Sequence, residues 1–467
     1  MGHDGDGAGH RDGESHKEQS SPHHKSSLKR KNRPHGLRNR KRKSILSLQP
    51  ESSMSIQTLR PDLASTLTSC TRRHKKQHDF THRREGRKRR KAARVQCHRE
   101  WTYSDHIGSN YRDKVVIVSY NILGVENATK HPELYSGVSP KYLDWQRRKK
   151  LLCKEVKSYQ PSIMCFQEVD RFDDLNEVLG KDGFRGLHKA RSGEAHDGCA
   201  IFWKADLFTL LHEENIEFQR FGLRNNVAQF CVLKMNQALP KADASGSPSG
   251  SASRSLLVGN IHVLYNPKRG DVKVGQMRIF LEKANELSQK WGRLPVVLSG
   301  DLNSLPQSAI YQFLASCKLH IHQHDRRHVS GQIFSSAYSE FLSRDNHFIR
   351  WTDEELMLAT GSKRGTLRHQ LKLCSAYAGV PGSSQVRDRH GEPLATSYHR
   401  LFSGTVDYIW HTSNLVPVKV LETLPMPKLK NTGCLPSKEW GSDHLALVCE
   451  LAFTEETDHD TSPSNHS

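Results

Sequence analysis

The chain has 467 residues, 35% hydrophobic and 26% charged, enough for one large α/β domain with polar flanks, and its ten cysteines include no C-x-x-C pair, against a disulfide framework or a zinc ribbon. No run approaches the roughly eighteen apolar residues of a membrane-spanning helix, and no apolar signal core opens the chain. The formal charge of +20 is uneven: residues 1–100 hold 26 Lys/Arg against 10 Asp/Glu.

Residues 1–112 read as a disordered basic region, because a charged stretch poor in aromatics buries too little apolar surface to offset chain entropy. Two clusters stand out within it, Lys29 to Lys43 and Arg83 to Arg94. Each suits nuclear import or an RNA-binding arm working through counterion release, and each is also readable as a solvated charge run. Asp4, Asp6, Asp12, Glu14 and Glu18 fit an organellar transit peptide poorly, so nucleus and cytoplasm are the expected locations.

From residue 114 short apolar runs end in polar residues. Val115 to Val118 leads into Ser119-Tyr120-Asn121, a buried strand running into a loop. A helix is predicted over 140–159, with Pro140 in its first turn and Pro161 closing it. A second buried strand, Ile163 to Phe166, meets Gln167-Glu168, and a short helix follows with Phe172, Leu175, Val178 and Leu179 on one side. Further strands are predicted at 198–203, 227–234, 255–261, 294–299, 405–411 and 444–452, with a helix across 272–291. Strands that alternate with helices in places and run consecutively in others imply a four-layer α/β sandwich, two packed mixed sheets flanked by helices. The domain is expected over 113–453, with a flexible Gly/Ser/Ala-rich loop at 238–254, an irregular surface insertion at 318–395, and a disordered tail at 454–467.

The strand ends carry acid, amide or imidazole groups: Asn121, Glu168, His262, Asp301 with Asn303, and Asp443 with His444, while Asp407 lies within VDYIW. A phosphate-cleaving Mg²⁺ site needs carboxylates and amides rather than a Cys/His cage, and Glu168, Asp301, Asn303, Asn121 and Asp443 supply them. In SGDLNS, alternation along an extended backbone puts Asp301 and Asn303 on one side. Taken singly, each residue has a plain explanation: Gly300-Asp301 marks a turn, His262 a half-buried histidine, Asp407 an edge carboxylate. The histidines at 320, 322, 324 and 328 lack the spacing of a ligand motif.

The order SYNIL, QEVD, GNIHV, SGDLNS, VDYIW, SDH across 119–444 is far more specific. In it the chain resembles the endonuclease/exonuclease/phosphatase superfamily with its DNase I-like fold, and more narrowly the deadenylases of the carbon catabolite repressor 4 type, plant homologues included. The resemblance implies that Asn121, Glu168 and Asp443 hold Mg²⁺, and that His262 contacts the scissile phosphate. It implies that Asp301 and Asn303 position water and phosphate, and that His444 is the catalytic histidine with its tautomer fixed by Asp407. Pro267 and Phe402 correspond to adenine-binding features, although a rigid loop and core packing also account for them. The implied activity is 3′-to-5′ shortening of poly(A) tails on RNA. The alternatives are a phosphatase acting on RNA termini or a nucleotide 2′-phosphate, a DNA-repair endonuclease, and a non-catalytic RNA-binding protein. Subunits of an mRNA-decay complex are implied partners, although no leucine-rich-repeat docking pattern precedes residue 113.

Overall fold

Strands that are apolar on both faces must be covered on both faces, and the computed structural model, which describes residues 99–105, 111, 113–236, 254–332 and 351–454, does this with two stacked sheets and outer helices. The first sheet has seven strands in the order Trp101–Tyr103, Leu415–Leu421, Leu447–Phe453, Lys114–Asn121, Ile163–Gln167, Gly198–Lys204, Phe184–Ala190. The second has six, in the order Leu373–Ser375, Asp407–Thr412, Val296–Asp301, Ser255–His262, Val227–Met235, Phe208–Glu217.

Alternation along each strand separates the layers. Ile117, Cys165, Ile201 and Cys449 of the first sheet meet Cys231, Val258, Val297 and Ile409 of the second in one buried cluster between them. Val118, Tyr120, Met164 and Phe202 face outward onto Leu152 and Val156 of helix Trp145–Ser158 and Leu175 and Leu179 of helix Phe172–Gly180. Phe230, Leu257 and Leu298 face outward onto Met277, Phe280 and Leu281 of helix Gly270–Lys290. The four layers are those expected from the strand and helix pattern.

Each sheet contains one parallel pair. Lys114–Asn121 runs parallel to Ile163–Gln167 with Asn121 opposite Gln167, and Ser255–His262 runs parallel to Val296–Asp301 with His262 opposite Asp301. Parallel strands end at the same edge, so the residues that finish these four strands gather at one end of the sandwich. The antiparallel strand Asp407–Thr412 starts there, with Asp407 opposite Asp301. Gly300 is required by this packing, because a Cβ at that position would run into the Ile261 carbonyl oxygen of the neighbouring strand.

Four departures have physical causes. The helix expected over 140–159 is divided into Pro140–Leu143 and Trp145–Ser158, because the Asp144 carboxylate caps the second by accepting the Arg147 N–H (2.9 Å). The strands Phe184–Ala190 and Phe208–Glu217 lie at sheet edges, where half-exposed polar residues blur the apolar alternation. Trp101–Tyr103, within the region 1–112 expected to be disordered, pairs with Leu415–Leu421 while Arg99 donates to the Glu422 and Ala446 carbonyls, so the domain includes residues 99–105 and does not start at 113. Residues 318–332 and 351–395, expected as a surface insertion, bury Leu319, Ile321, Trp351, Leu356 and Leu373 against the outer core of the second sheet, and Leu373–Ser375 extends that sheet. The basic clusters of the first hundred residues, most of the 238–254 loop, residues 333–350 and the 455–467 tail lie outside the described residues.

Candidate active site

Asn121 and Glu168 end the parallel pair of the first sheet. Glu168 has a left-handed backbone, φ 57°, which turns its side chain back over the strand ends. Its Oε1 accepts from Asn121 Nδ2 (3.0 Å), and its Oε2 from the Gly124 N–H (3.0 Å) and Asn127 Nδ2 (2.8 Å). Asn121 Nδ2 also reaches Asp301 Oδ2 in the other sheet at 3.1 Å. Two carboxylates from different sheets therefore converge on one amide nitrogen.

Asp301 Oδ1 accepts the Asn303 N–H (2.8 Å), which fixes the carboxylate so that Oδ2 faces His262 Nε2 at 3.5 Å and His444 Nε2 at 3.9 Å. Asn303 Nδ2 lies 3.1 Å from His262 Nε2 and donates to the Val263 carbonyl (3.0 Å). The same-side placement of Asp301 and Asn303 is thus achieved by a turn at Asn303, φ 45°, rather than by continued extension.

His444 Nδ1 and Asp407 Oδ2 are 2.8 Å apart, both residues being buried. Burial opposes a charged imidazole, yet Asp407, with Asp443 and Asp301 behind it, holds the His444 pKa well above the ordinary histidine value. Burial pushes the Asp407 carboxyl upward, and the imidazolium beside it pulls it back down. The Asp407 backbone is steadied by Thr396, whose hydroxyl oxygen accepts its N–H at 3.2 Å. With Nδ1 committed, Nε2 is the nitrogen turned towards Asp301.

Asp443 Oδ2 accepts from the Tyr135 hydroxyl (2.8 Å). Burial, then Asp443 and Glu168, push that hydroxyl far above the usual tyrosine range, so it remains a donor. Ser442 Oγ binds the Asn121 carbonyl (2.7 Å) and accepts the His444 N–H (3.1 Å), tying the SDH segment to the first sheet's strand end.

Asp301, Asp407 and His444 bring ligand atoms within 4.8 Å of one another. A cationic imidazole already bonded to a carboxylate is a poor metal ligand, so Asp407 and His444 fit an acid–base pair better. The hard oxygens of Glu168 and Asp301, which share the Asn121 amide donor at the edge between the sheets, suit a hard divalent cation, and Asp443 follows Ser442, which bonds the Asn121 carbonyl.

The model of the endonuclease/exonuclease/phosphatase family matches residues 118–444, from the strand that delivers Asn121 to His444 itself. The chain belongs to that family. The chain is 57% identical over 370 residues to carbon catabolite repressor protein 4 homolog 5 of Arabidopsis thaliana, covering 76% of this chain and 81% of that protein. It is 47% identical over 368 residues to homolog 3 of the same plant, covering 77% and 80%. Among solved structures it is similar to ANGEL2, described as a 2′,3′-cyclic phosphatase in complex with adenosine-2′,3′-vanadate, with 28% identity and a TM-score of 0.62 over 76% of this chain and 99% of that one.

Within this family fold the two residues nominated for base recognition lie apart in sequence. Phe402 is half-buried at the start of strand Phe402–Gly404, its ring centroid 5.9 Å from that of His399. His399 sits on the paired strand Ser397–His399, beside Asp443 and His444: the Tyr398 N–H donates to the Asp443 carbonyl (2.9 Å), and Ser397 bridges to His444. Pro267 occupies the half-exposed loop between His262 and helix Gly270–Lys290. Sequence reading missed Asn127, Tyr135 and Thr396, which have no motif of their own. It also passed over Ser442, which stands inside SDH.

Proposed function

We propose that this protein is a Mg²⁺-dependent 3′-to-5′ exoribonuclease that shortens poly(A) tails by in-line hydrolysis of phosphodiester bonds. The observation that carries the reading is Phe402, a half-buried aromatic ring whose centroid lies 5.9 Å from that of His399, on the strand that bridges to His444 through Ser397. A ring there is a platform for a terminal base whose phosphate reaches Asp301 and His444. The Arabidopsis relatives are named as homologues of carbon catabolite repressor protein 4, the type that the strand-end motifs resemble.

Glu168, Asp301, Asn121 and Asp443 would hold the metal. When bound, Mg²⁺ neutralises non-bridging oxygens and developing leaving-group charge. Asp301 Oδ2 orients the attacking water, with Oδ1 locked by Asn303. His262 Nε2 and Asn303 Nδ2 contact the phosphate. His444, kept cationic by Asp407, donates from Nε2 to the oxygens that gain charge as the phosphorus becomes pentacovalent.

A second reading, phosphatase action on a 2′,3′-cyclic RNA end, is favoured by the likeness to ANGEL2 with its adenosine-2′,3′-vanadate. The two readings separate in one experiment. The full chain in Mg²⁺ is incubated with 5′-labelled RNA ending in A, C or U tails, and with the same RNA ending in a 2′,3′-cyclic phosphate. A ladder of shortened A-tailed products supports the exonuclease. Loss of the cyclic phosphate without shortening supports the phosphatase and overturns the exonuclease.

A further inference from the structure

The two halves of the site repeat one construction. Asn121 Oδ1 accepts the Leu123 N–H (3.0 Å), and Asp301 Oδ1 accepts the Asn303 N–H (2.8 Å). The residue two places on is left-handed in both turns, with φ 59° at Leu123 and 45° at Asn303, a strained conformation for a side-chain-bearing residue unless its surroundings enforce it. In both turns the carbonyl of that residue is gripped by a cation from the helix covering its own sheet. Arg148 Nη1 donates to the Leu123 carbonyl (2.8 Å) and the Ile122 carbonyl (2.9 Å), and Lys273 Nζ donates to the Asn303 carbonyl (2.7 Å).

Both cations are 0% exposed. Burial lowers the pKa of each, that of Lys273 to about 7. Arg148 Nη2 has no hydrogen-bond partner among the described residues. Apolar side chains of similar volume would fill the same space at a smaller desolvation cost. The cost therefore needs a return, and the shared target indicates it: each cation holds the turn whose first residue supplies an oxygen or amide to the reacting centre.

We propose that Arg148 and Lys273 are a matched pair of positioning residues, each clamping one left-handed turn so that Asn121 and Glu168 on one side, and Asp301 and Asn303 on the other, face each other across the two sheets. Neither touches the reacting atoms. Lys273 acts through Asn303 and Asp301, and Arg148 through Leu123 and Asn121. The inference rests on the hydrolytic reading of the site and is indifferent to which RNA end is processed.

The test uses the full chain with Lys273→Met, Lys273→Gln and Arg148→Met. Lys273→Met should lower kcat by about 10- to 100-fold, the range for residues that orient metal-site groups from behind, with KM changed by less than about threefold. Lys273→Gln, which keeps a donor without the charge, should recover most of the loss. Hydrogen exchange read without substrate should quicken at Asn303 in Lys273→Met and at Leu123 in Arg148→Met, each leaving the other turn protected. Wild-type kcat in folded Lys273→Met overturns the proposal, as does exchange that rises throughout the domain, since that marks Lys273 as a general stabiliser. Should Lys273→Met not fold, Lys273→Gln decides: a protected Asn303 amide with near-wild-type kcat upholds the clamp, and an unprotected one overturns it. A wild type that turns over neither A-tailed nor cyclic-phosphate RNA defeats the hydrolytic reading alone, because the exchange measurement still reports on the turns.

Discussion

Asn121 and Asp301 end strands in different sheets and meet side chain to side chain at 3.1 Å. This contact joins the two halves of the site, and Glu168 is held to it by the same Asn121 amide at 3.0 Å. Glu168→Gln keeps the shape but converts an anion into an amide where a cation is to be held. Hydrolysis should fall by more than about 100-fold, beyond the 10- to 100-fold typical of groups standing behind metal ligands. The melting temperature should change little, since the residue is only half-buried. Rates across a Mg²⁺ titration, with thermal melts, make the check, and near-normal turnover at ordinary Mg²⁺ would remove Glu168 from the metal side.

The Asp407–His444 pair should set the pH response. A histidine whose folded pKa is raised above its unfolded value of about 6.5 adds stability that is fully present below that value and is lost as pH rises through the folded pKa. If cationic His444 is the active form, hydrolysis falls over that same alkaline window. Asp407→Asn removes the largest raising influence, so the alkaline limb of kcat/KM should move to lower pH. The stability difference between wild type and Asp407→Asn should shrink as pH increases. Rate profiles and denaturant titrations at matched pH values test both, and an unmoved alkaline limb would assign it to another group.

The strand ends were legible because a buried strand advertises itself as an apolar run, and the first polar residue after it is where the chain leaves the core. That logic finds Asn121, Glu168, His262 and Asp301. It could not place Asp407 against Asp301, a pairing between strands over one hundred residues apart in sequence. It was also blind to Arg148 and Lys273. Arg148 stands in WQRRKK and Lys273 in KRGDVK, where a buried cation has the same letters as a solvated one. Tyr135 was hidden likewise, since its partner Asp443 lies far along the chain. Edge strands such as Phe208–Glu217 escaped because their exposed faces admit polar residues at core-like spacing.

Charge placement leads to a prediction about binding. Residues 1–100 hold 26 of the 70 Lys/Arg and 10 of the 50 Asp/Glu. If this region contacts RNA, it releases counterions on binding, and the slope of log affinity against log salt counts the phosphates neutralised. Removing residues 1–98, which stops short of Arg99 and its hydrogen bonds to the Glu422 and Ala446 carbonyls, should leave cleavage of a short oligonucleotide intact, weaken binding to longer RNA, and flatten that slope. An unchanged slope would assign the two basic clusters to import rather than to RNA.

Under the poly(A) reading, base choice should rest on Phe402. Its ring is half-buried, 5.9 Å from that of His399 on the strand that bridges to His444, so truncation removes a platform near the reacting end and leaves the metal-side carboxylates in place. Stacking a base on an aromatic ring is worth about 1–3 kcal/mol, so Phe402→Ala should slow digestion of an A-tail by roughly 5- to 150-fold. Stacking alone tolerates every base, and a preference for adenine therefore needs a pocket whose depth and polar edges suit a purine held against the ring. Phe402→Ala should accordingly lower the ratio of A-tail to C-tail rates as well as the absolute rate. The measurement is initial rates on both tails for both proteins, with Mg²⁺ dependence and melting temperature as controls. A variant that keeps the parental A-to-C ratio and merely melts earlier would make Phe402 a packing residue, and the poly(A) reading would lose the aromatic platform on which it stands.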